Sequence, residues 1–341
     1  MTGLQLTMRF DMRAPEFGAS PGSLYPAAYA MAEWADQRGF SSIGISEHHA
    51  TEDGYCPAPL ILGSAIAART QHVKIRFGVM LLTLHHPLRA AEEIAVLDNI
   101  SEGRIVPMFG AGYRMEEFEM FGVDPTKRAK LMEESITAMK EAWKGEWFEF
   151  QGNKALVRPR PYQDPHPPIH MGGSIESTAR LAARIADDFF PSTVPLVEVF
   201  QAERERLGKP RVPGKNYGAK GSWFIHVTED PEKAWDTIAP HAIHESNTYT
   251  DWATQRKGAS MFGMAGMQDE NNIRENAKYV VITPDECIAM AHEHSSVDGS
   301  LGFAPLMGGL DPDFAWASLE LFDAKVLPEI HKAGLLAERS D

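Results

Sequence analysis

The chain has 341 residues, 43% of them hydrophobic and 23% charged, with a formal net charge of −14. That length accommodates one large domain of ordinary globular composition, and the acidic balance argues against nucleic acid or an anionic membrane as the main partner. Cys56 and Cys287 form no motif, no apolar run reaches the roughly 18 residues of a membrane span, and the opening MTGLQLTMRFDMRAP lacks a signal-peptide core, so a reduced, cytoplasmic protein is expected.

Short apolar runs predict strands at 4–10, 42–47, 74–84, 104–110, 168–172, 187–192, 221–228 and 300–307. Helical patterns fall between them, at 24–38, 58–70, 88–101, 126–144, 175–186, 195–207, 231–239, 284–293 and 312–327. The clearest is 126–144, where Met132, Ile136, Met139 and Trp143 make one apolar stripe behind an Asp124-Pro125 start signal. Strand and helix alternating about eight times predicts a parallel sheet wrapped by crossover helices. No Gly-x-Gly-x-x-Gly loop follows the first strand, which disfavours an open dinucleotide-binding sheet. The expected fold is therefore an α/β (β/α)8 TIM barrel, one domain over residues 1–341. Insertions near 146–167 and 240–280 are candidate lids, binding loops or subunit-contact segments.

Side-chain alternation then aims individual residues. In SSIGISEHH, Ile43 and Ile45 share the aliphatic, helix-facing side of a barrel strand. Ser46 and His48 consequently point toward the axis, at the C-terminal strand end where barrels carry their active sites. Histidines also stand at 85, 86, 170 and 226, so a metal site has to be weighed; HExxH and CxxC are absent and the first strand has no His-x-His, so none is expected. The alternative for each histidine is a plain hydrogen-bonded rim residue. The turn HMGGSIESTAR brings Gly172, Gly173 and Ser174 to a helix start, with Ser177 and Thr178 following. That suits a phosphate, or else a simple tight turn capped by Ser174. The strand ending Gly110-Ala111-Gly112 leaves room for something flat, with Arg114 and Arg128 as nearby cations, unless Arg114 pairs with Glu116, Glu117 or Glu119.

Three ordered stretches, SEHHATEDGYCPAPLILGSAIAART, GVMLLTLHHPLRAAEEIAVLDNISEGRI and FGAGYRMEEFEMFGV, resemble the bacterial luciferase-like monooxygenases, and the likeness resumes at MGGSIESTARLAA. The resemblance covers about half of the chain. It implies a barrel that binds reduced FMN (FMNH2), or the deazaflavin F420 in sister enzymes. It further implies a two-component monooxygenase supplied by a separate flavin reductase, with a C4a-peroxyflavin shielded from water, a small non-polar organic substrate and a homodimer. Carried over by position, His48 matches the family's catalytic histidine and Glu47 its neighbouring acid. Ser174, Ser177 and Arg128 match phosphate ligands, and the Gly78–Val79 bond matches a cis peptide beneath the flavin. Gly110 stands where luciferase has a cysteine, which argues against light emission. Ala111 stands where it has a second phosphate-binding arginine, leaving Arg114 as a possible substitute. An F420-dependent hydride-transfer enzyme and a non-catalytic flavin-binding protein are the alternatives.

Overall fold

Strand and helix alternate along the computed structural model, which describes residues 3–212, 222–254 and 266–337. Strands β1 (Gln5–Phe10), β2 (Ser42–Ile45), β3 (Lys74–Leu81) and β4 (Ile105–Gly110) enclose helices α1 (Pro21–Gln37), α2 (Pro59–Ala67) and α3 (Pro87–Ile100). Next come α4 (Met115–Phe121), α5 (Arg128–Ala142) and a hairpin of β5 (Phe148–Phe150) and β6 (Asn153–Ala155). They are followed by β7 (His170–Gly173), α6 (Glu176–Ile185), β8 (Asp188–Pro191) and α7 (Pro195–Arg206). The order closes with β9 (Phe224–Val227), α8 (Pro231–Thr254), β10 (Tyr279–Ile282), α9 (Pro284–Ser295), β11 (Ser300–Phe303), α10 (Pro312–Leu321) and α11 (Leu327–Lys332).

Seven strands form one curled sheet in the order β11-β1-β2-β3-β4-β7-β8, with every pairing parallel. β9 and β10 form a separate parallel pair. β9 lies beside β11, where the Gly302 amide donates to Ser222 Oγ at 3.0 Å. The architecture is thus a parallel α/β sheet under crossover helices, and among the described residues no hydrogen-bonded ladder joins its two parts. The expected alternation of side chains holds: Ile43, Ile45, Ile75, Phe77 and Ile105 are fully buried, while Gly44 and Ser46 occupy the opposite face of β2. Helices pack this closely because a small residue admits a large one, as where Gly63 of α2 meets the Phe77 ring; a Cβ there would stand 2.8 Å from it.

The sequence expectations depart from the structure at definite points. The strand predicted at 74–84 stops at Leu81 and continues as a 3-10 turn over Leu82–Leu84. The helix predicted at 126–144 begins at Arg128, behind a 3-10 turn over Pro125–Lys127 that Asp124 caps by accepting the Thr126 amide at 2.9 Å. The insertion near 146–167 contains the β5–β6 hairpin. The insertion near 240–280 is not a loop at its start: α8 runs on through Pro240 to Thr254, residues 255–265 lie outside the described residues, and β10, absent from the predicted strands, ends it. No helix is long and apolar enough to cross a membrane among the described residues, and both cysteines are buried free thiols.

Candidate active site

The C-terminal ends of β2, β3, β4, β7 and β8 open onto one cleft with about 1060 Å³ of empty space, counted out to its mouth. Its floor is made of backbone. Val79 stands between two glycines: a Cβ on Gly110 would lie 2.6 Å from its Cγ2, and one on Gly172 would lie 2.9 Å from its Cγ1. A side chain at either place would have to push Val79, which lines the cleft, out of position. The Gly78–Val79 bond is cis, and the Gly78 carbonyl accepts the Ser46 hydroxyl at 2.8 Å. Leu81, Met108, Ile175 and Phe190 make the slot largely apolar.

Polar groups gather at one end. Ser174, Thr178, Ser192 and Arg128 line the cleft where β7 passes into α6. The Arg128 side chain makes no hydrogen bond or ion pair among the described residues, and the buried Ser192 Oγ also has no partner there. A buried hydroxyl without an acceptor or donor is a cost that a bound ligand removes. Ser177 does not line the cleft, and Ile175 rather than Ser174 occupies the N-cap of α6, so the hydroxyl of Ser174 stays free of capping duty. Arg114 does not substitute for the arginine missing at Ala111. It is buried, donates to the His49 carbonyl at 2.5 Å, pairs with Glu117 at 3.6 Å and lies over the Trp252 ring at 4.2 Å.

Just past the end of β2, each of two adjacent histidines has its own glutamate. His48 Nδ1 lies 2.7 Å from Glu117 Oε1, which also accepts the His49 amide at 3.1 Å. His49 Nε2 lies 2.8 Å from Glu47 Oε1, which His85 Nε2 also reaches at 2.7 Å, while Glu47 Oε2 accepts the Leu81 amide at 2.7 Å. Burial alone would raise the Glu47 carboxyl; the hydrogen bonds from His49 and His85 overcome it and hold the group at about 2. Glu47 thus fastens β2 to the end of β3. His48 is held below its ordinary value by burial, with Arg13 and Arg114 adding to the effect and Glu117 opposing it. A carboxylate can only accept, so Nδ1 carries the proton and neutral His48 keeps the Nε2 lone pair free. That ring nitrogen is the basic atom this site offers.

Sequence reasoning missed Glu117 as the partner of His48, and it missed the aromatic wall. Tyr55, Tyr113 and Tyr249 line the cleft beside His48, with Tyr55 and Tyr249 hydroxyls 2.9 Å apart. Trp252 packs on the His48 ring at 4.7 Å, and Arg13 lies within 5.1 Å of the Tyr55, Tyr249 and Trp252 rings. Arg13 pairs with Asp53 at 2.5 Å, and His244 of α8 reaches the same carboxylate at 2.8 Å. The other histidines are dispersed: His86 lies against Phe150, His226 stacks on Phe314, and His170 stands 3.8 Å from Asp188. Among the described residues no three His, Cys, Asp or Glu side chains are grouped to hold a metal ion.

The site thus combines an apolar cleft, a hydroxyl-lined end carrying Arg128, and a buried histidine with a free ring nitrogen, an arrangement with room for an apolar ring system that bears an anionic group. The family model described as luciferase-like monooxygenase matches residues 8–293, and the chain belongs to that family. A 4-hydroxyprotoasukamycin monooxygenase of Streptomyces nodosus subsp. asukaensis is 23% identical, covering 92% of this chain and 89% of its own. An F420-dependent glucose-6-phosphate dehydrogenase of Nakamurella multipartita is 33% identical over 57% of this chain and 58% of its own. The oxygenase component of a flavin-dependent trigonelline monooxygenase of Acinetobacter baylyi is 32% identical over 43% and 42%. The last two matches therefore span only about half of each relative. The fold matches the oxygenating constituent of 3,6-diketocamphane monooxygenase from Pseudomonas putida, solved with FMN, at a TM-score of 0.70, 22% identity and coverage of 96% and 99%. Relatives are thus named for flavin or for F420, and the chain is an enzyme of flavin-type oxidation.

Proposed function

We propose that this chain is the oxygenase of a two-component monooxygenase that uses reduced FMN and O2 on a small, largely non-polar organic substrate. The reading takes the fold as a single (β/α)8 barrel, with β9 and β10 completing the ring beside β11. The observation that carries it is the largely apolar cleft around Val79, bordered by glycines at 110, 172 and 173, together with the Arg128 side chain unpaired at its end among the described residues. Val79, Gly110, Ala111 and Gly172 would bound the ring system. Gly173, Ser174 and Thr178 would hold the phosphate with Arg128, and Ser192 would give its unpartnered hydroxyl to the same group. Bound reduced FMN would supply the activation of oxygen.

The chain's own residues would exclude water and manage a proton. His48 Nε2 accepts or returns the proton beside the ring system, while Glu117 fixes its tautomer through Nδ1. Glu47 acts one step back, holding His49, His85 and the end of β3 in place. Tyr55, Tyr113 and Tyr249 close the substrate side against solvent. The reaction requires an outside supply of reduced flavin, hence a separate reductase, as the name of the trigonelline oxygenase component suggests for that enzyme. Exposed Ile61 of α2 and Val96 and Ile100 of α3 support a homodimer packed through those helices. The buried free thiols suit the reducing cytoplasm.

F420 is the competing cofactor, and the F420-named relative keeps it in play. The test titrates reduced FMN and reduced F420 in parallel under anaerobic conditions, following tryptophan fluorescence. Tight binding of reduced FMN, with a slowly decaying flavin absorbance change once oxygen is admitted, is expected. Binding of F420 alone would move the enzyme to hydride transfer, and reduced FMN that binds but never reacts with oxygen would make it a carrier.

A further inference from the structure

Arg13 is a fully buried guanidinium just past β1, and it does not line the cleft. The chain reaches it through Met12, a buried residue with φ of 61°. Residues other than glycine seldom take that left-handed conformation, and it persists where the surroundings over-determine it. Backbone hydrogen bonds supply such surroundings. The Asp11 carbonyl accepts the Cys56 amide at 2.8 Å, and the Asp53 carbonyl accepts the Ala14 amide at 2.7 Å. The Cys56 carbonyl in turn accepts the His48 amide at 3.2 Å. The turn that carries Arg13 is thus laced to the loop that carries His48.

The side chains repeat the connection. Arg13 Nη1 donates to Asp53 Oδ2 at 2.5 Å, and the guanidinium lies 4.7 Å from the Tyr55 ring, 5.0 Å from Trp252 and 5.1 Å from Tyr249. Tyr55 and Trp252 pack directly on the His48 ring, at 4.8 and 4.7 Å. Arg13 therefore stands one ring away from the imidazole along two routes. Charged groups also face His48 from α4 and its start, Glu117 by hydrogen bond and Arg114 beyond it. Around Arg13 stand Asp11 at 3.8 Å and Asp53, which His244 of α8 shares at 2.8 Å. Burial holds His48 low, Glu117 opposes it, and the two arginines lower it further.

We infer that Arg13 is a positioning residue for His48: it braces Tyr55, Tyr249 and Trp252 around the imidazole and, as a cation one ring away, disfavours a positive charge there. This rests on the reading above only in taking His48 as the group that accepts the proton. Asp53 is then the attenuator, a carboxylate that partly cancels the field of Arg13. Removing Arg13 and neutralising Asp53 should consequently act on His48 in opposite directions. A merely structural brace behaves otherwise: losing either partner would loosen the wall, admit water and move His48 back toward its ordinary value in both cases.

The test is a pH titration of the chain carrying 13C-labelled histidine, followed by NMR, with the His48 signal identified by its loss in His48→Gln. Wild type, Arg13→Met, Arg13→Lys and Asp53→Asn are compared, with thermal melting and reduced-FMN affinity alongside. Wild-type His48 should titrate below 6.5. Arg13→Met should raise its protonation constant by at least about threefold, a fraction of the effect of one uncancelled charge at this range. Arg13→Lys should keep most of the wild-type behaviour, and Asp53→Asn should lower the constant further. A wild-type midpoint at or above 6.5 overturns the inference without any variant. So does an unchanged midpoint in a folded Arg13→Met, or an upward shift in both Arg13→Met and Asp53→Asn. Where Arg13→Met does not fold, Asp53→Asn decides: a downward shift supports the inference, and an upward or absent one overturns it. Reduced FMN that fails to bind wild type overturns the monooxygenase reading and leaves the coupling of Arg13 to His48 to be judged by the titration.

Discussion

The two walls of the cleft are built by different means. The β3–β4–β7 wall has backbone at its centre, with glycines at 110, 172 and 173 and a cis peptide at Gly78–Val79, and the side chains of Val79, Leu81 and Met108 beside them. The wall opposite is side chains, with His48 packed among Tyr55, Tyr113 and Trp252 and a buried Arg13 behind the rings. A backbone wall cannot be re-shaped without moving strands, so it suits a constant ligand such as a cofactor. A side-chain wall changes with each substitution, so it suits the part of the site that must differ between relatives, namely the substrate. Substitutions in one wall should therefore act on cofactor affinity, and those in the other on turnover and substrate.

His48→Ala should have the largest effect. Removing a general acid–base typically costs about 10²–10⁴-fold, and single-turnover rates with excess reduced FMN would show it. Binding of reduced FMN should change little, because His48 packs among aromatic side chains rather than beside the glycines at 110, 172 and 173; a parallel loss of affinity would collapse the distinction between the walls. Gly110→Val should do the reverse. Its Cβ has to displace Val79, which a Cβ would meet at 2.6 Å, an overpacking of about 1–3 kcal/mol. Affinity for reduced FMN should fall by at least roughly tenfold, with the far-UV spectrum retained. Unchanged affinity would remove the slot from the argument.

The difference between the walls also explains what the sequence made legible. Backbone features announce themselves in composition: Gly110-Ala111-Gly112 and Gly172-Gly173-Ser174 could be read as room for something flat, and both line the cleft. His48 was aimed correctly because strand alternation fixes direction. The aromatic wall was hidden because α8 buries an unusual face. Ile238, Ala242, Glu245, Tyr249 and Trp252 follow helical spacing, yet polar members and the internal Pro240 make HESNTYTDW read as a loop. β10 was missed because YVVI is four residues long and follows that apparent loop. In the sequence Glu117 reads only as a partner for Arg114; nothing in spacing connects residue 117 to residue 48, and only the fold brings them to 2.7 Å.

Glu117→Gln tests the side-chain wall from within. His48 lies below its ordinary value of 6.5 because burial disfavours its charged form, and Glu117 partly restores it. Turnover that needs neutral His48 should be flat from pH 8 to 6.5 and fall only below that. Without the carboxylate the protonated form loses support, so the acid limb should move to still lower pH. The amide can also donate to Nδ1 and select the wrong tautomer, which predicts a rate loss of roughly tenfold or more. An acid limb moving upward would mean that the titrating group is not His48.

The smallest expected effect lies on α8. Tyr249→Phe removes one hydroxyl, 2.9 Å from that of Tyr55, and keeps the ring that Arg13 and Trp252 pack against. One neutral hydrogen bond contributes about 0.5–1.5 kcal/mol, so turnover or substrate affinity should change a few-fold and reduced-FMN affinity should not move. The reason is that Tyr249 belongs to α8, whose remaining ties to the His48 loop, His244 with Asp53 and Trp252 packed at a tilt on His48, stay in place. If instead Tyr249→Phe weakened flavin binding as much as Gly110→Val, α8 would be part of the cofactor seat. Substrate and cofactor would then share one wall, and the selective surface of the enzyme would have to be sought elsewhere in the cleft.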